Sequence, residues 1–491
     1  REARERIRVA LHHIGMGLSA EKITVNLSPA GIPKTGTSFD LPVALGILAA
    51  KEVIPPERLR GVWAAGELGL DARVKPVRGV LAMVTAAAEA GISECILPME
   101  NFREGLLREE ICAMGVETLE EAMLYLASDA EERSLLRKKA QKGLEKLPCT
   151  GRTQTEEEPD FSIVKGMEEA KTAAMAAAAG MHNLLLTGPP GTGKTMLARC
   201  MPGILPPMTR QEQYEISSIY SAAGQLEEGR LLEKRPFVSP HHTVSPYALT
   251  GGGSIPKPGM VTLAHRGVLF LDELAEFKRQ TLDVLRQPLE EGKIFLARSR
   301  GNFVYPADFM LLAATNPCPC GYYPDRNRCR CREWEVARYL SRISGPLLDR
   351  IDLCCSVSPL PVRMLWETKN ASEAALDALS DDAGKKAPSD SVRMRERVLE
   401  ARERQSFRYA GTPIGVNGRL GAGELLRYCA LGFQEQEFLE KAAGQAGLSA
   451  RGCHRVIRTA RTLADLDGSE RILVRHLSQA VYYRNQHMLQ K

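Results

Sequence analysis

Apolar residues recur along this chain at helical spacing and in short continuous runs. In the opening segment REARERIRVALHHIG, Ile7, Leu11 and Ile14 fall on one face and arginines and glutamates on the other, which predicts an amphipathic helix. Residues 183–187 (NLLLT), 267–273 (GVLFLDE), 309–315 (FMLLAAT) and 353–357 read as short buried strands, GVLFLDE being long enough for a buried parallel one. Residues 292–308 alternate apolar positions on two arms around a Ser-Arg-Gly-Asn turn, the signature of a hairpin. Helical spacing returns over residues 448–466, with Ser449 as N-cap and Arg451, Arg455 and Arg458 sharing a face.

Two polar stretches punctuate this pattern: residues 148–160 (PCTGRTQTEEEPD) and 380–391 (SDDAGKKAPSDS). The expected organisation is an N-terminal α/β domain over residues 1–147, a linker over 148–160, a core over 161–360, a connector over 361–392 and a helical C-terminal domain over 393–491. Because the chain opens in mid-pattern at Arg1, its first helix is expected inside a domain that begins upstream. The longest apolar stretches, residues 41–50 and 173–179, are too short to span a bilayer, so no membrane partner is expected. With 44% hydrophobic and 25% charged residues, the composition excludes disordered and collagen-like classes. Twelve cysteines without a secretory signal point to a reducing, cytoplasmic setting, where clustered thiols mean metal or chemistry.

The strand at 183–187 runs straight into GPPGTGKT and a helix, the order that a phosphate-binding loop requires. Gly188, Pro189, Pro190, Gly191, Thr192, Gly193, Lys194, Thr195 and Met196 are the expected nucleotide-binding residues. Backbone N–H groups would close around phosphate oxygens, Lys194 would reach the β- and γ-phosphates, and Thr195 would place its hydroxyl on Mg²⁺. At the tip of GVLFLDE, Asp272 is the expected second Mg²⁺ ligand and Glu273 the group that polarises the attacking water. Asn316, at the end of the next strand, is placed to hydrogen-bond that water. Arg350, in SGPLLDRID, precedes the last strand. ATP hydrolysis with Mg²⁺ is the reaction these parts imply.

These parts resemble the AAA+ ATPases, with Asn316 as sensor 1 and Arg350 as an arginine finger supplied to a neighbour, which implies a ring. The fold class implied is an α/β P-loop core, its parallel sheet between helices, with a C-terminal helical lid. SPHHTVSPYALTGGG (239–253), RGVLFLDELAEF (266–277) and SGPLLDRIDL (344–353) look like the magnesium-chelatase-like ATPases. ITVNLSPAGIPKTGTSFDLPVALGILAA (23–50) narrows the resemblance to the ComM (YifB) family. It covers nearly the whole chain and implies a homo-hexamer that drives branch migration of single-stranded or branched DNA during natural transformation. The helix at 448–466 then corresponds to the sensor 2 helix, with Arg451 as first choice for the γ-phosphate and Arg455 as second.

The N-terminal domain is similar to the proteolytic domain of Lon. Ser38 stands at the nucleophile's position, but Met83 stands where the activating lysine should be, and a thioether cannot take the proton. The peptidase is therefore expected to be silent. The rival readings are a metal-chelatase subunit, a protein-remodelling ATPase and a working protease.

Residues 391–491 carry 15 Arg and 2 Lys against 10 acidic residues, an excess of +7 where the whole chain has +5, which suggests a polyanion partner or a solvated helical surface. Arg298 and Arg300 at the hairpin are candidate contacts to a DNA backbone, or two exposed basic residues. Aromatic content of 5% favours a grip by charge over base stacking. His241 and His242 are expected on a DNA- or interface-facing loop. Finally, CPCGYYPDRNRCRC gathers Cys318, Cys320, Cys329 and Cys331, the four thiolates of a closed tetrahedral Zn²⁺ site, or alternatively free or redox-active thiols. Cys354 and Cys355 read as core.

Overall fold

The computed structural model describes residues 2–18, 22–28, 36–146, 159–227, 229–253, 257–298, 301–359 and 389–485. They form two compact units, one of Arg1–Thr155, Thr209–Glu233 and Leu296–Phe303, the other of Glu156–Met208, Lys234–Phe295 and Val304–Lys491.

In the first unit a parallel sheet runs Val62–Ala64, Glu94–Pro98, Cys112–Val116. Leu11, Leu41, Leu48, Phe102 and Tyr125 are fully buried in its core. The expected first helix is present as Glu2–His13, and its partner is Asp40–Ala50. Arg6 Nε donates to Asp40 Oδ2 at 2.7 Å. Asp40 is buried in the first turn of its helix, where a carboxylate also meets the positive end of the helix dipole. The unit also takes in the helix Arg210–Ala223, opened by a capping box of Thr209 and Glu212. This helix docks beside Val80–Glu89: the N–H of Leu81 donates to Ser221 Oγ at 3.3 Å, Ser221 Oγ to Glu104 Oε2 at 2.6 Å, and Tyr214 Oη to the carbonyl of Leu107 at 2.7 Å.

The second unit is built on five parallel strands in the order Leu353–Ser356, Leu184–Thr187, Met310–Thr315, Val268–Leu271, Phe237–Val238. Numbered along the chain, the spatial order is 5-1-4-3-2. The three central strands are buried along their whole length, as uninterrupted apolar runs demand when helices cover both faces. The alanine-rich helix Glu168–Gly180 and the C-terminal helices Asp390–Arg408, Ala450–Leu466 and Val474–Asn485 share one core with the sheet. The end of the alanine-rich helix is closely approached by the turn Asn417–Arg419: a β-carbon on Gly418 would stand 2.4 Å from the carbonyl oxygen of Gly180. Fully buried Asp465 is neutralised there by Arg408 and by Arg461 at 3.0 Å, and accepts from Asn417 Nδ2 at 2.8 Å.

Contacts thus group the chain differently from the linker-based boundaries. Residues 209–233, inside the expected core span 161–360, fold with the first unit. The C-terminal helices share the core of the second. Polar punctuation separates apolar runs along the sequence, but the partner of each apolar face decides where it packs.

Candidate nucleotide-binding site and cysteine cluster

The strand Leu184–Thr187 ends at Gly188, and the helix Lys194–Cys200 begins at the other end of the loop. Gly191 and Gly193 have φ of 74° and 86°, a left-handed backbone that side chains resist. Gly188 is required for a different reason: a β-carbon there would meet the carbonyl oxygen of Val357 at 2.2 Å. Thr192 Oγ1 donates to the carbonyl of Pro189 at 2.9 Å and ties the loop to itself.

Lys194 folds back over this loop. Its Nζ donates to the carbonyls of Gly188 at 2.7 Å and Pro189 at 2.8 Å, and to Asn316 Oδ1 at 3.3 Å. Burial lowers its pKa from the usual lysine value, and the charge of Asp272 opposes that shift. Thr195 Oγ1 donates to Asp272 Oδ2 at 2.7 Å, so the two expected metal ligands meet. A hydroxyl and a carboxylate at that spacing are a hard-oxygen pair of the kind Mg²⁺ takes when most of its shell is phosphate and water. Glu273 follows on a left-handed backbone at φ 52°, its N–H donating to Asp272 Oδ1 at 2.9 Å and its side chain largely exposed. Three sequence-distant parts therefore converge: the loop with Lys194 and Thr195, Asp272 with Glu273, and Asn316.

His242 reaches this cluster too. Its Nδ1 is 3.3 Å from Glu273 Oε2, and its ring lies 4.1 Å from that of His241, centroid to centroid. The adjacent histidines stood out in sequence, but nothing local tied them to Glu273.

Arg350 is mostly buried and pairs with Glu290, while its Nη1 donates to the carbonyl of Pro346 at 2.6 Å. The acidic residues beside Arg350 in the sequence have other partners: Asp349 faces Arg484 at 3.5 Å, and Asp352 pairs with Arg455 at 2.7 Å. Glu290 is held below the usual glutamate range by the Arg350 hydrogen bond, with burial opposing and the charges of Arg350, Arg451 and Arg455 assisting. Ser449 caps the helix Ala450–Leu466 by accepting from the N–H of Gly452 at 3.2 Å. Arg451 is exposed in its first turn, whereas Arg455 is committed to Asp352.

The hairpin forms from Lys293–Arg298 and Gly301–Pro306. Arg298 ends its first strand, but the placement of its side chain, and Arg300 altogether, lie outside the described residues. In the first unit, Ser38 precedes the helix Asp40–Ala50 and Met83 lies half-buried on Val80–Glu89.

The sulfurs of Cys318, Cys320, Cys329 and Cys331 all lie within 4.8 Å of one another. Three of the separations are 3.3, 3.5 and 3.8 Å. A tetrahedral site with Zn–S bonds of about 2.3 Å has sulfur–sulfur edges of roughly 3.8 Å, so the donor set and its spacing fit Zn²⁺. Cys318 Sγ also accepts from the N–H groups of Gly321 at 3.2 Å and Tyr323 at 3.4 Å, which fix its position in the cluster. For Cys320, burial opposes ionisation, but the N–H of Tyr322 and the neighbouring thiols bring its pKa down to about 6. Cys354 and Cys355 are buried in their strand, as core residues should be.

Comparison with known proteins agrees with this architecture. The family profile "Magnesium chelatase, subunit ChlI" matches residues 160–365, "Subunit ChlI of Mg-chelatase" residues 1–101, and the subunit ChlI C-terminal profile residues 388–484. The "Competence protein ComM" of Haemophilus influenzae is 40% identical over 99% of this chain and 89% of its own length. The chain belongs to the ComM (YifB) family. The YifB protein of Salmonella typhimurium is likewise 40% identical over 99% of the chain and 89% of its own length. The magnesium-chelatase 38 kDa subunit of Cereibacter sphaeroides is more distant, at 26% over 67% of the chain and 92% of its own length. This ComM-family chain thus has a magnesium-chelatase-type AAA+ core, a family character that implies ATP and Mg²⁺. Among its described residues no helix is long and apolar enough to cross a membrane.

Proposed function

We propose that this protein is a cytoplasmic, Mg²⁺-dependent ATPase that works as a homo-hexameric DNA motor and promotes branch migration of recombination intermediates during natural transformation. The observation that carries the ATPase reading is the meeting of Thr195 with Asp272 at 2.7 Å beside the Lys194–Asn316 contact. Residues 188–196 would wrap the phosphates through backbone N–H groups, and Lys194 would exchange its loop carbonyls for phosphate oxygens. Thr195 and Asp272 would hold Mg²⁺, which when bound neutralises charge on the β- and γ-oxygens. Glu273 would accept hydrogen bonding from the attacking water and draw off its proton, while the Asn316 amide orients it. Arg350 would serve a neighbouring subunit's γ-phosphate after leaving Glu290. Arg451, free of the Asp352 pair that occupies Arg455, remains the choice for sensor 2.

The DNA reading draws on the name of the Haemophilus relative, a competence protein, and on the basic excess of residues 391–491. Arg298 and Arg300 are its proposed backbone contacts, and a structural Zn²⁺ on Cys318, Cys320, Cys329 and Cys331 its proposed second metal. The domain at 1–147 is read as a Lon-like fold without peptidase activity.

The test is the ATPase rate with and without DNA, using Lys194→Ala as the blank. Stimulation by a forked or four-way junction above that by duplex supports the branch-migration motor. Hydrolysis indifferent to every DNA would overturn it and favour the chelatase-subunit reading, which the magnesium-chelatase profiles keep open.

A further inference from the structure

Residues 316–332 contain neither helix nor strand, although they lie between the central strand Met310–Thr315 and the helix Glu333–Leu340. A structureless stretch of that length inside a compact unit is uncommon unless it serves a function. Its apolar support is slight: Cys318, Cys329 and Val336 are buried together, with Tyr322, Tyr323 and Leu340 beside them. The remaining order comes from tight turns, such as the N–H of Cys329 donating to the carbonyl of Asp325 at 2.7 Å, and from the four clustered sulfurs.

This loop meets the phosphate loop at two independent points. Asn316, which accepts from Lys194 Nζ at 3.3 Å, is joined to Cys318 through Pro317 alone. Gly321, directly after Cys320, has φ 87° and lies against the phosphate loop. A β-carbon on it would stand 2.6 Å from Cδ of Pro190 and 3.8 Å from Cγ of Asn316. The backbone on either side of the first cysteine pair therefore abuts the residues that face the nucleotide.

We infer that the four cysteines, loaded with Zn²⁺, brace the nucleotide site, so that metal occupancy governs ATP turnover more than ATP affinity. This rests on the ATPase and zinc readings above. The phosphate grip itself is anchored by the strand Leu184–Thr187 and the helix Lys194–Cys200, whose buried side chains belong to the main core and not to the cysteine cluster. Asn316 has no such anchor on its C-terminal side, where the chain passes straight into the metal ligands. Without the metal, the amide loses its fixed direction while the loop that holds phosphate persists. The cysteines are positioning residues in this scheme and touch no reacting atom.

The experiment uses the full chain. Zinc content is measured by mass spectrometry, the metal is then removed by a chelator under reducing conditions, and zinc is added back. The readouts are kcat and KM for ATP, affinity for a fluorescent ATP analogue, and the cobalt-substituted absorption spectrum. The expected results are about one zinc per chain and a tetrahedral thiolate spectrum with cobalt. Depletion should lower kcat roughly tenfold or more, reversibly, with analogue affinity changed less than about twofold. A second arm, Gly321→Val, retains all four thiols and the zinc but presses on Pro190, and should also lower kcat.

Depleted protein that turns over like the loaded form overturns the brace while leaving the zinc reading intact. Parallel loss of affinity, turnover and thermal stability overturns it in favour of a general structural staple. Protein isolated without zinc, or with these thiols oxidised, and fully active removes the zinc reading and the brace together. Wild-type turnover no faster than Lys194→Ala removes the ATPase reading and the brace with it.

Discussion

Nδ1 of His242 lies 3.3 Å from Oε2 of Glu273, the carboxylate proposed to activate water. The pair holds Glu273 toward the segment at 239–253, and the backbone at Glu273 is left-handed. A partly exposed contact of this kind is worth up to about 1 kcal/mol, which corresponds to a rate factor of up to roughly fivefold. If the pair tethers Glu273 between turnovers, His242→Ala should raise the DNA-free ATPase rate within that range and shrink the ratio between DNA-stimulated and basal rates. A fall in both rates would instead make His242 an orienting partner of the general base.

The acidic pair at the strand tip should separate binding from chemistry. Asp272→Asn is expected to lower turnover roughly a hundredfold through weakened Mg²⁺ binding, with partial recovery at high Mg²⁺. Glu273→Gln should retain ATP binding and lose hydrolysis. Equilibrium binding and single-turnover rates distinguish the two, and equal defects would contradict the assigned roles.

Arg350 pairs with Glu290 within its own chain, so its proposed action on a neighbour is testable by mixing. Arg350→Ala should lose about a thousandfold or more in turnover. Mixed with Lys194→Ala, it should regain activity, because some interfaces then combine an intact Lys194 with an intact Arg350. Two inactive variants that remain inactive after subunit exchange would assign Arg350 to its own chain's fold.

Asp352 is buried and paired with Arg455 at 2.7 Å, and its second oxygen accepts from the N–H of Asn183 at 3.0 Å. Burial opposes its ionisation, but the charge of Arg455, the nearby His182 ring and the N–H of Asn183 hold its carboxyl well below the usual range. A carboxyl depressed in the fold stabilises above its unfolded pKa and loses that contribution as pH falls, here below about 4. Asp352→Asn should cost about 3–5 kcal/mol at neutral pH by leaving Arg455 unpaired, and should flatten the acid limb of thermal stability. An unchanged acid limb would contradict the pair's role.

Salt dependence tests the DNA contacts. Junction binding should weaken steeply with salt, and replacing Arg298 and Arg300 together by alanine should reduce the log–log slope by about 2. An unaltered slope would remove both residues from the interface.

Much of the second unit was legible because its strands are continuous apolar runs: the structure has Leu184–Thr187, Val268–Leu271, Met310–Thr315 and Leu353–Ser356 within a residue or two of the spans read from sequence. The second strand, Phe237–Val238, left no such trace, being two residues between Pro236 and Pro240. Pairings across long separations were equally silent. Asp352 and Arg455 stand 103 positions apart, and no period or motif links a strand-start aspartate to one arginine of a stripe. The four cysteines were readable from spacing, but the approach of Gly321 to Pro190 depends on how two loops fold and emerges only in three dimensions.

The placement of the helix Arg210–Ala223 bears on how this protein can be taken apart. Its chain leaves the second unit after Met208, contributes that helix to the first unit, and returns at Lys234 before the second strand of the sheet. The two units are consequently interlaced in covalent sequence and are not beads joined by one thread. Cutting in the polar stretch at 148–160 would not liberate a self-sufficient motor. Removing residues 1–147 would strip Tyr214 and Ser221 of the acceptor and donor they meet in the first unit, and expose the buried face of their helix.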